Sequence, residues 1–396
     1  MAAEVLAKAG LAVTVYEHKR SVGRKLLLAG RGGLNITHSE PIDAMLGRYS
    51  EATPSLAAAL RGFTPHDLRA WCAELGEPTF VGSTGRVFPA SFRATPLLRA
   101  WLARLEDLNV AIRVGHRWHG WAKRPDGGVD TQRLTFERSG GTMIEAVSDV
   151  TILALGGASW PRVGSDGRWV DTLAQLGVQV ATLRAANCGV LLAWSANFVG
   201  QFGGVPLKNI AVTVGDVRVR GDAVVTTAGL EGGPIYAQSQ PIRDSIDRLG
   251  SCTLRFDLQP DLTVGQLEER LARGRPNDSL SAMLQRIGLS KASIALLREL
   301  TSNQVPRDSK TLAPLIKSLS IEVRSLMPID RAISTAGGVA FSELDDVLMI
   351  KRLPGVFVAG EMVDWEAPTG GYLLQASFST AVLAARGAID FVARPE

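Results

Sequence analysis

Residues 353–375 read LPGVFVAGEMVDWEAPTGGYLLQ and are the most informative stretch of the chain. The apolar run from Val356 to Ala359 predicts a buried strand. Gly360-Glu361 follows at its carboxyl end, which is where open α/β sheets bind their ligands. Pro368 to Gly371 then leads into an apolar helical pattern over 374–388, whose first backbone N–H groups have no partner inside the helix. The pattern predicts a ligand site between strand and helix, although a strand–turn–helix with purely capping glycines would read alike.

The start of the chain also reads as a helix followed by a strand. Met1 to Ala9 has a helical pattern ended by Gly10, and Leu11 to Tyr16 (LAVTVY) is a β-branched run that stops at Glu17. In a dinucleotide-binding βαβ unit, an acid at the end of the second strand binds the ribose, about 20 residues after a G-x-G-x-x-G loop. Glu17 has this position in the sequence. The alternative is that Glu17 merely ends a strand at the surface and binds no ribose. Since residue 1 already lies inside the helix, we expect the first strand and the phosphate loop to be missing.

A basic, glycine-rich loop follows at Ser21 to His38 (SVGRKLLLAGRGGLNITH). Its glycines allow a close approach of the backbone to a ligand, and Arg24, Lys25 and Arg31 can neutralise phosphate. A flexible basic loop is the alternative. Beside Glu17, we interpret the loop as part of a nucleotide-binding site.

Ordered motifs along the whole chain carry a family resemblance. They are Gly23 to Lys25 (GRK), Gly30 to Thr37 (GRGGLNIT), Gly85 to Pro89 (GRVFP), Thr151 to Trp160 (TILALGGASW), Ser334 to Val339 (STAGGV), Leu353 to Glu361 (LPGVFVAGE) and Pro368 to Gln375 (PTGGYLLQ). In this order they resemble the HI0933-like, or BaiN/RdsA-type, NAD(P)/FAD-dependent oxidoreductases. The resemblance implies a flavoprotein.

The chain departs from the family pattern inside several motifs. Ala29, Gly33 and Leu34 stand where the family has Ser, Arg and Cys, so any role of that thiol is not carried over. Leu155 replaces a Thr, and Thr227 replaces a His in the segment TTAGLEGGPIY. We therefore expect a divergent subgroup.

Pattern and resemblance together predict an α/β fold: a Rossmann-like FAD-binding domain that is split by an inserted β-barrel-like subdomain and a helical subdomain. Helices and strands alternate up to about residue 183, short glycine-rich strands follow, and amphipathic helices fill about 263–328. We expect the FAD-binding domain at 1–183 and 331–396, the β-barrel-like subdomain at 184–262 and the helical subdomain at 263–330.

The resemblance also implies site residues. Glu361 can accept hydrogen bonds from the ribityl chain of FAD, and a helix that starts near Gly371 would direct its positive end at the flavin, which raises the reduction potential. Arg162, Ser165 and Thr335 are pocket candidates, with surface loops as the alternative; no acid–base pair has a diagnostic spacing, so the catalytic residues stay unknown. The cofactor-binding residues expected are Glu17, Lys19, Gly23, Arg24, Lys25, Gly30, Gly32, Gly33, Asn35, Trp118, Gly156, Gly157, Gly360, Glu361, Gly370, Gly371, Tyr372 and Leu373.

Composition narrows the other possibilities. The 396 residues are 46% hydrophobic and 21% charged, which excludes a disordered chain. A net charge of +4 without a dense Lys/Arg stripe argues against a nucleic-acid partner. Three distant cysteines exclude a disulfide framework and a thiolate zinc site, and His116 and His119 would point to opposite faces of one strand, so no metal site is predicted. No stretch approaches the roughly 20 apolar residues of a membrane span, and we expect a cytoplasmic protein.

The leading hypothesis is an FAD-dependent oxidoreductase that acts on a small, unsaturated organic substrate, with NAD(P)H as the electron donor. A flavin-dependent tRNA-modifying enzyme is one alternative. The other is an N-terminally truncated, non-catalytic flavoprotein remnant, or a chain with a mis-assigned start.

Overall fold

The computed structural model describes residues 1–273 and 278–394. Contacts divide the chain into two compact units, Met1–Arg184 with Ser334–Glu396, and Ala185–Ile333. Up to the end of the first segment the elements are α1 Ala2–Lys8, β1 Thr14–Glu17, α2 Arg24–Ala29, β2 Thr37–His38, α3 Ile42–Leu46, α4 Thr53–Gly62, α5 Pro65–Glu74, β3 Thr79–Val81, β4 Arg86–Pro89, α6 Ala94–Asp107, β5 Ala111–Val114, β6 His116–Lys123, β7 Val129–Arg138, β8 Met143–Val147, β9 Thr151–Leu153, α7 Trp169–Gln175 and β10 Val180–Ala186.

The remaining elements lie in the second unit and in the C-terminal segment of the first unit. In the second unit they are β11 Val190–Leu191, α8 Ala196–Phe202, β12 Pro206–Val214, β13 Val217–Thr226, β14 Gly229–Gly232, α9 Gly233–Tyr236, α10 Ser239–Leu249, β15 Cys252–Asp257, α11 Val264–Ala272, α12 Leu280–Arg286, α13 Lys291–Leu300, α14 Ser309–Lys317 and β16 Leu319–Val323. The first unit resumes with β17 Ser334–Val339, β18 Val356–Val358 and α15 Tyr372–Val392.

Two parallel strand pairs organise the first unit. β1 pairs with β5, with Glu17 opposite Val114 at the carboxyl ends. β9 pairs with β18, with Leu153 opposite Val358. Every residue of β18 is buried, as its apolar composition predicts for a strand covered on both faces. Parallel strands with helical connections confirm the α/β prediction.

The 21-residue helix α15 covers this core. It packs against α1, α4 and β18, and its buried small residues include Ala376, Ala384 and Ala388. A Cβ on Gly387 would lie 2.6 Å from Val347 Cβ, so this glycine lets the helix approach closely. The predicted helical pattern over 374–388 is therefore the buried body of α15.

The first unit also contains two small antiparallel sheets, and β10 pairs with β17. One has the strand order β2-β4-β3, and the other β6-β7-β8. The sequence did not predict β8, which pairs with β7 at the outside of its sheet.

The second unit contains a six-stranded antiparallel sheet in the order β11-β14-β13-β12-β15-β16. The sheet curls so that its ends meet: Val190 in β11 bridges Leu326, and the backbone N–H of Leu191 donates to Ser325 O at 2.9 Å. With helices α11 to α14 beside it, this unit confirms a barrel-like insertion accompanied by a helical region. β16 lies within the range where only helices were expected, because its short run Leu319–Val323 has no turn signal before it.

None of the helices within residues 1–273 and 278–394 combines the length and the apolar composition that a membrane span requires.

Candidate active site

A polar cluster lies where β9 and β18 end. Glu361 comes three residues after β18, and its Oε2 accepts a hydrogen bond from Lys25 Nζ at 2.5 Å. The same oxygen accepts from the backbone N–H of Gly157 at 3.3 Å, while Oε1 accepts from the backbone N–H of Thr335 at 2.8 Å. The Glu361 side chain is 15% exposed. Three distant segments of the chain thus converge on one carboxylate.

Thr335 fastens the turn after β9. Its Oγ1 accepts from the backbone N–H groups of Ala158 at 2.9 Å and Ser159 at 3.2 Å, and the residue is buried. A Cβ on Gly157 would lie only 2.2 Å from this oxygen, so the arrangement requires glycine there. Ser159 Oγ in turn accepts from Lys25 Nζ at 2.8 Å. The turn and the lysine are therefore parts of one hydrogen-bonded network.

The carboxyl end of β1 lies beside a loop that reaches this network. Glu17 Oε1 accepts from the backbone N–H of Lys19 at 2.7 Å and lies 3.3 Å from His18 Nδ1. A Cβ on Gly164 would lie 3.4 Å from His18 Cε1, and the next residue, Ser165, has its Oγ 3.4 Å from Lys25 Nζ. The loop 161–168 therefore connects the predicted ribose acid with the lysine and Glu361.

An ion pair holds that loop. Arg117 in β6 donates to Asp166 Oδ2 at 2.9 Å. Burial alone would raise the pKa of Asp166, but the hydrogen bonds from Arg117 and from the backbone N–H of Arg168 outweigh it and lower the pKa. Sequence reasoning did not identify Arg117, because a single arginine in a strand carries no signal of its partner. The pocket candidate Arg162 is exposed, and the described part of the chain offers its side chain no ion pair.

Several glycines that were predicted to bind the cofactor are required by close packing within the fold. A Cβ would fall within 2.6 Å of a neighbouring heavy atom at Gly23, Gly30, Gly33 and Gly371. By contrast, a Cβ on Gly32 would meet nothing within 4 Å. Packing alone therefore requires these four glycines as well as Gly157, whereas Gly32 is exposed beside open space.

The start of α15 has no side-chain cap. Gly371 precedes the helix with φ 98°, and its Cβ position lies 2.4 Å from Thr37 O. Tyr372 is buried, with its ring stacked on His38 at 5.3 Å, so its side chain packs within the unit. Burial raises the pKa of its phenol. Leu373 borders the main core.

Buried polar atoms without a partner among residues 1–273 and 278–394 include His18 Nε2, Asn35 Oδ1 and Trp118 Nε1. Buried polar atoms are nearly always hydrogen bonded. Atoms of this kind are therefore candidate hydrogen-bond partners of a large polar ligand. His18 and Asn35 belong to the segments predicted for the cofactor. The Trp118 ring packs on Trp121 at 5.0 Å, and among the described residues no hydrogen bond of its indole N–H links it to the polar cluster.

The two histidines considered for a metal have other partners. His119 Nε2 lies 3.1 Å from Glu137 Oε2, and His116 Nδ1 lies 2.8 Å from Val114 O. Within the described ranges no group of three or more His, Cys, Asp or Glu side chains is arranged to hold a metal ion.

The family model described as HI0933-like protein Rossmann domain matches residues 1–387. The chain belongs to the HI0933-like family. This HI0933-like chain is 26% identical to the 3-dehydro-bile acid delta(4,6)-reductase of Clostridium scindens, over 96% of this chain and 93% of that protein. It is 24% identical to the ribosomal RNA dihydrouridine synthase of Escherichia coli, over 94% of this chain and 91% of that protein.

The fold has a solved relative as well. The 3-ketosteroid delta1-dehydrogenase from Sterolibacterium denitrificans, solved with 1,4-androstadiene-3,17-dione, superposes with a TM-score of 0.55 at 12% identity, over 98% of this chain and 97% of that one. That likeness concerns the fold. The HI0933-like family consists of FAD-dependent oxidoreductases, and the chain is an enzyme of this class.

The residues present fit FAD. The first unit offers a carboxylate after β18, an acid at the end of β1, a lysine, an open glycine, and buried atoms at His18 and Asn35 that lack partners in the described ranges. These groups match a ligand with hydroxyls, phosphates and ring nitrogens.

Proposed function

We propose that the enzyme uses NAD(P)H to reduce a carbon–carbon double bond in a small unsaturated substrate. The observation that carries the proposal is the network of Lys25, Glu361 and Ser159 at the carboxyl ends of β9 and β18. The names of these two relatives, a delta(4,6)-reductase and a dihydrouridine synthase, both denote the reduction of a double bond.

The overall reaction balances with one donor and one proton. NAD(P)H gives two electrons and becomes NAD(P)⁺, and the substrate C=C gains two hydrogens to become CH–CH, one of them from solvent. FAD, when bound, relays two electrons between the two reactants, so that each reaction is a separate step.

Glu17 and Glu361 are our candidates for holding the cofactor's hydroxyl groups. Glu17 Oε1 accepts from the backbone N–H of Lys19. Within the described ranges Oε2 accepts no hydrogen bond, so it is available to a ribose hydroxyl. Glu361 stands in a buried turn, fixed by Thr335 and Gly157 on both oxygens. Oε2 already accepts from both Lys25 and Gly157, whereas Oε1 accepts only from Thr335 among the described residues and keeps a lone pair for a ribityl hydroxyl.

Lys25 and the open end of α15 are candidates for electrostatic support. Lys25 is the only cation in contact with Glu361 among the residues that the structure describes. The first N–H groups of α15 have no side-chain cap, so the positive end of this 21-residue helix at Gly371 is a candidate partner for negative charge. Both features stabilise negative charge on a reduced ring.

Gly32, Asn35, Gly156, Gly360 and Gly370 complete the proposed cofactor set. Arg24 and Lys19 are candidate phosphate contacts, and Arg24 is exposed on α2. Ser165 is a candidate for the substrate pocket, and Arg162 is a candidate contact for an anionic group of the substrate or of NAD(P)H.

The cysteines support a reducing compartment. Cys72, Cys188 and Cys252 are free and buried. Burial raises the pKa of the Cys72 thiol to about 12, which keeps it unreactive. We propose the cytoplasm.

Anaerobic flavin spectroscopy tests this function. The FAD-loaded protein is mixed with NADH or NADPH, and the flavin band is followed until it bleaches; a conjugated enone is then added. Bleaching by one nicotinamide and recovery of the band with a saturated product support the proposal. A band that neither nicotinamide bleaches contradicts the proposed donor, and bleaching without recovery with any unsaturated acceptor contradicts the proposed reaction.

A further inference from the structure

A cavity in the second unit is lined by the three helices α8, α12 and α13. Its volume is about 620 Å³, and sites for small molecules usually have volumes of about 300–1,000 Å³. All of its lining residues fall within the ranges 197–202, 281–285 and 291–303, so the cavity belongs entirely to the second unit. We call it the helix cavity.

Helix α13 presents a mixed surface to the helix cavity. Lys291, Ala295 and Arg298 line the cavity at positions i, i+4 and i+7, which is the spacing of one helical face. The other side of the helix, including Leu296 and Leu297, packs into the core of the second unit. Seven residues of an α-helix cover about 10 Å. Two cationic positions are therefore separated by two helical turns, with an apolar position between them.

Apolar side chains contribute to the surface of the helix cavity. Phe198 and Phe202 of α8 line it with their ring centroids 5.6 Å apart, and Ile294 and Ala295 of α13 add aliphatic surface. Phe198 and Ile294 are buried, whereas Phe202 and Ala295 are half-buried and stay partly open to a ligand. Because the removal of apolar surface from water is favourable, a ligand with a hydrocarbon body gains affinity here.

Arg298 is a half-buried cation that lacks a counter-ion. Its Nη2 donates to Ser281 Oγ at 2.9 Å, while its Nε is buried and has no hydrogen-bond partner among the described residues. Glu299 is the one acid among the described residues that line the helix cavity, and Ser195 already occupies it: the backbone N–H and the hydroxyl of Ser195 donate to its two oxygens at 2.6 and 2.8 Å. Charges that are removed from water are normally paired, so the missing partner of Arg298 is an anion.

The chain that follows α13 is strained where it borders the helix cavity. Ser302 and Asn303 line the cavity with φ angles of 50° and 62°, in the left-handed region that few residues other than glycine adopt. The backbone N–H of Asn303 donates to the carbonyl oxygen of Arg298 at 2.7 Å, which ties this turn to the arginine. Strained backbone is concentrated at ligand sites, and this observation is independent of the charge of the cavity.

We propose that the helix cavity binds a small organic acid with an elongated apolar body. Its carboxylate pairs with the guanidinium of Arg298, whose Nη1 has no partner among the described residues. The body lies along Phe202 and Ala295 toward the exposed Lys291. A bare inorganic anion leaves the apolar surface in water, and an uncharged hydrocarbon leaves Arg298 without its partner. This binding site goes beyond the proposed function, because none of its residues belongs to the network around Glu361.

Isothermal titration calorimetry of the FAD-loaded protein tests the inference. The probe is octanoate, and octanamide is the uncharged comparison with the same hydrocarbon chain. Octanoate should bind at one site per chain, and octanamide should bind about tenfold more weakly or worse, because it lacks the charge that pairs with Arg298. Arg298→Gln should lower the affinity for octanoate by about the same factor. Titrations at two temperatures should give a negative heat-capacity change from the buried hydrocarbon.

Two further variants separate the charge from the space. Ala295→Phe fills the apolar part of the helix cavity and keeps the hydrogen bond between Arg298 and Ser281, so octanoate binding should be lost although the cation stays in place. Arg270→Gln is the matched control, because Arg270 is exposed in α11 and does not line the cavity. Its affinity for octanoate should equal that of the wild type.

Equal octanoate affinities of the wild-type protein and both cavity variants, or no binding of octanoate by the wild type, would overturn the inference. So would octanamide that binds as tightly as octanoate, which indicates an apolar site only, or displacement of octanoate by an equal concentration of inorganic phosphate, which indicates a site for bare anions. The flavin band is recorded in parallel. A wild type that binds octanoate but loses FAD counts against the proposed function alone.

Discussion

Thr335 Oγ1 lies 2.2 Å from the position that a Cβ on Gly157 would take. The two residues are 178 positions apart in the sequence, yet their close approach fixes the turn after β9. That turn positions the backbone N–H of Gly157, which donates a hydrogen bond to Glu361. A glycine that the sequence suggests for cofactor contact is thus required first by the protein's own hydrogen bonds.

Gly157→Ala should destabilise the protein. The added methyl group forces Thr335 away from the turn, and overpacking of this kind costs about 1–3 kcal/mol. Urea unfolding followed by tryptophan fluorescence measures the free energy of unfolding. Gly32→Ala is the matched control, because its Cβ meets nothing within 4 Å; its stability should stay close to that of the wild type. Equal losses in both variants would count against the packing explanation.

Glu4→Gln should also lower the free energy of unfolding, by about 3 kcal/mol. The Glu4 carboxylate is buried and accepts from the indole N–H groups of Trp71 at 3.0 Å and Trp101 at 2.9 Å, and it pairs with Lys8 and Arg104. The variant removes the carboxylate that Lys8 pairs with and leaves Arg104 only its longer contact to Glu74 at 3.4 Å. A midpoint of urea unfolding that does not move would show that the network contributes little.

The same carboxylate predicts an acid dependence. Burial alone would raise the pKa of Glu4, but hydrogen bonds from Lys8, Trp71 and Arg104 outweigh it, and the folded-state pKa lies below the usual value of 4.5. The unfolded chain therefore takes up the proton first, so this contribution is complete above about pH 4.5 and is lost as the pH falls through the lower, folded-state pKa. The wild type should have the higher midpoint of urea unfolding at pH 7. At pH 3.5 its midpoint should lie closer to that of Glu4→Gln.

His18 predicts a second dependence, near neutrality. Burial lowers the pKa of His18 below the usual 6.5, and its Nε2 has no partner among the described residues. The unfolded state binds the proton more tightly, so stability from this group is complete above about pH 6.5 and falls as the pH drops through 6.5 toward the folded-state pKa. His18→Phe should flatten the stability profile between about pH 5 and 7. An unchanged profile would mean that His18 titrates alike in both states.

The sequence predicted the ends of β1 and β18 well, since β-branched and apolar runs stop at Glu17 and Glu361 there. It could not predict that Lys25 bonds to Glu361, because they lie 336 positions apart and neither pattern indicates its partner. Nor could it separate a glycine required by packing, such as Gly30, from an open one such as Gly32, since both stand in the same short loop.

The surface around Phe80 shows a different gap. Net charge is an average over the chain, whereas the local positive excess around Arg86 and Arg93 arises because β3, β4 and the turn after them carry no acid. The exposure of Phe80 depends on what covers its sheet, which no local pattern reveals.

Titration of the FAD-free protein with FAD tests the central claim that the Lys25–Glu361 network is the cofactor site. Hydrogen bonds to charged groups contribute about 1.5–3 kcal/mol, so Lys25→Met and Glu361→Gln should each weaken FAD binding by about tenfold or more. Glu145→Gln removes an exposed pair with Arg133 and serves as the control; its dissociation constant should match that of the wild type. Dissociation constants for FAD that are equal in all four proteins would contradict the account.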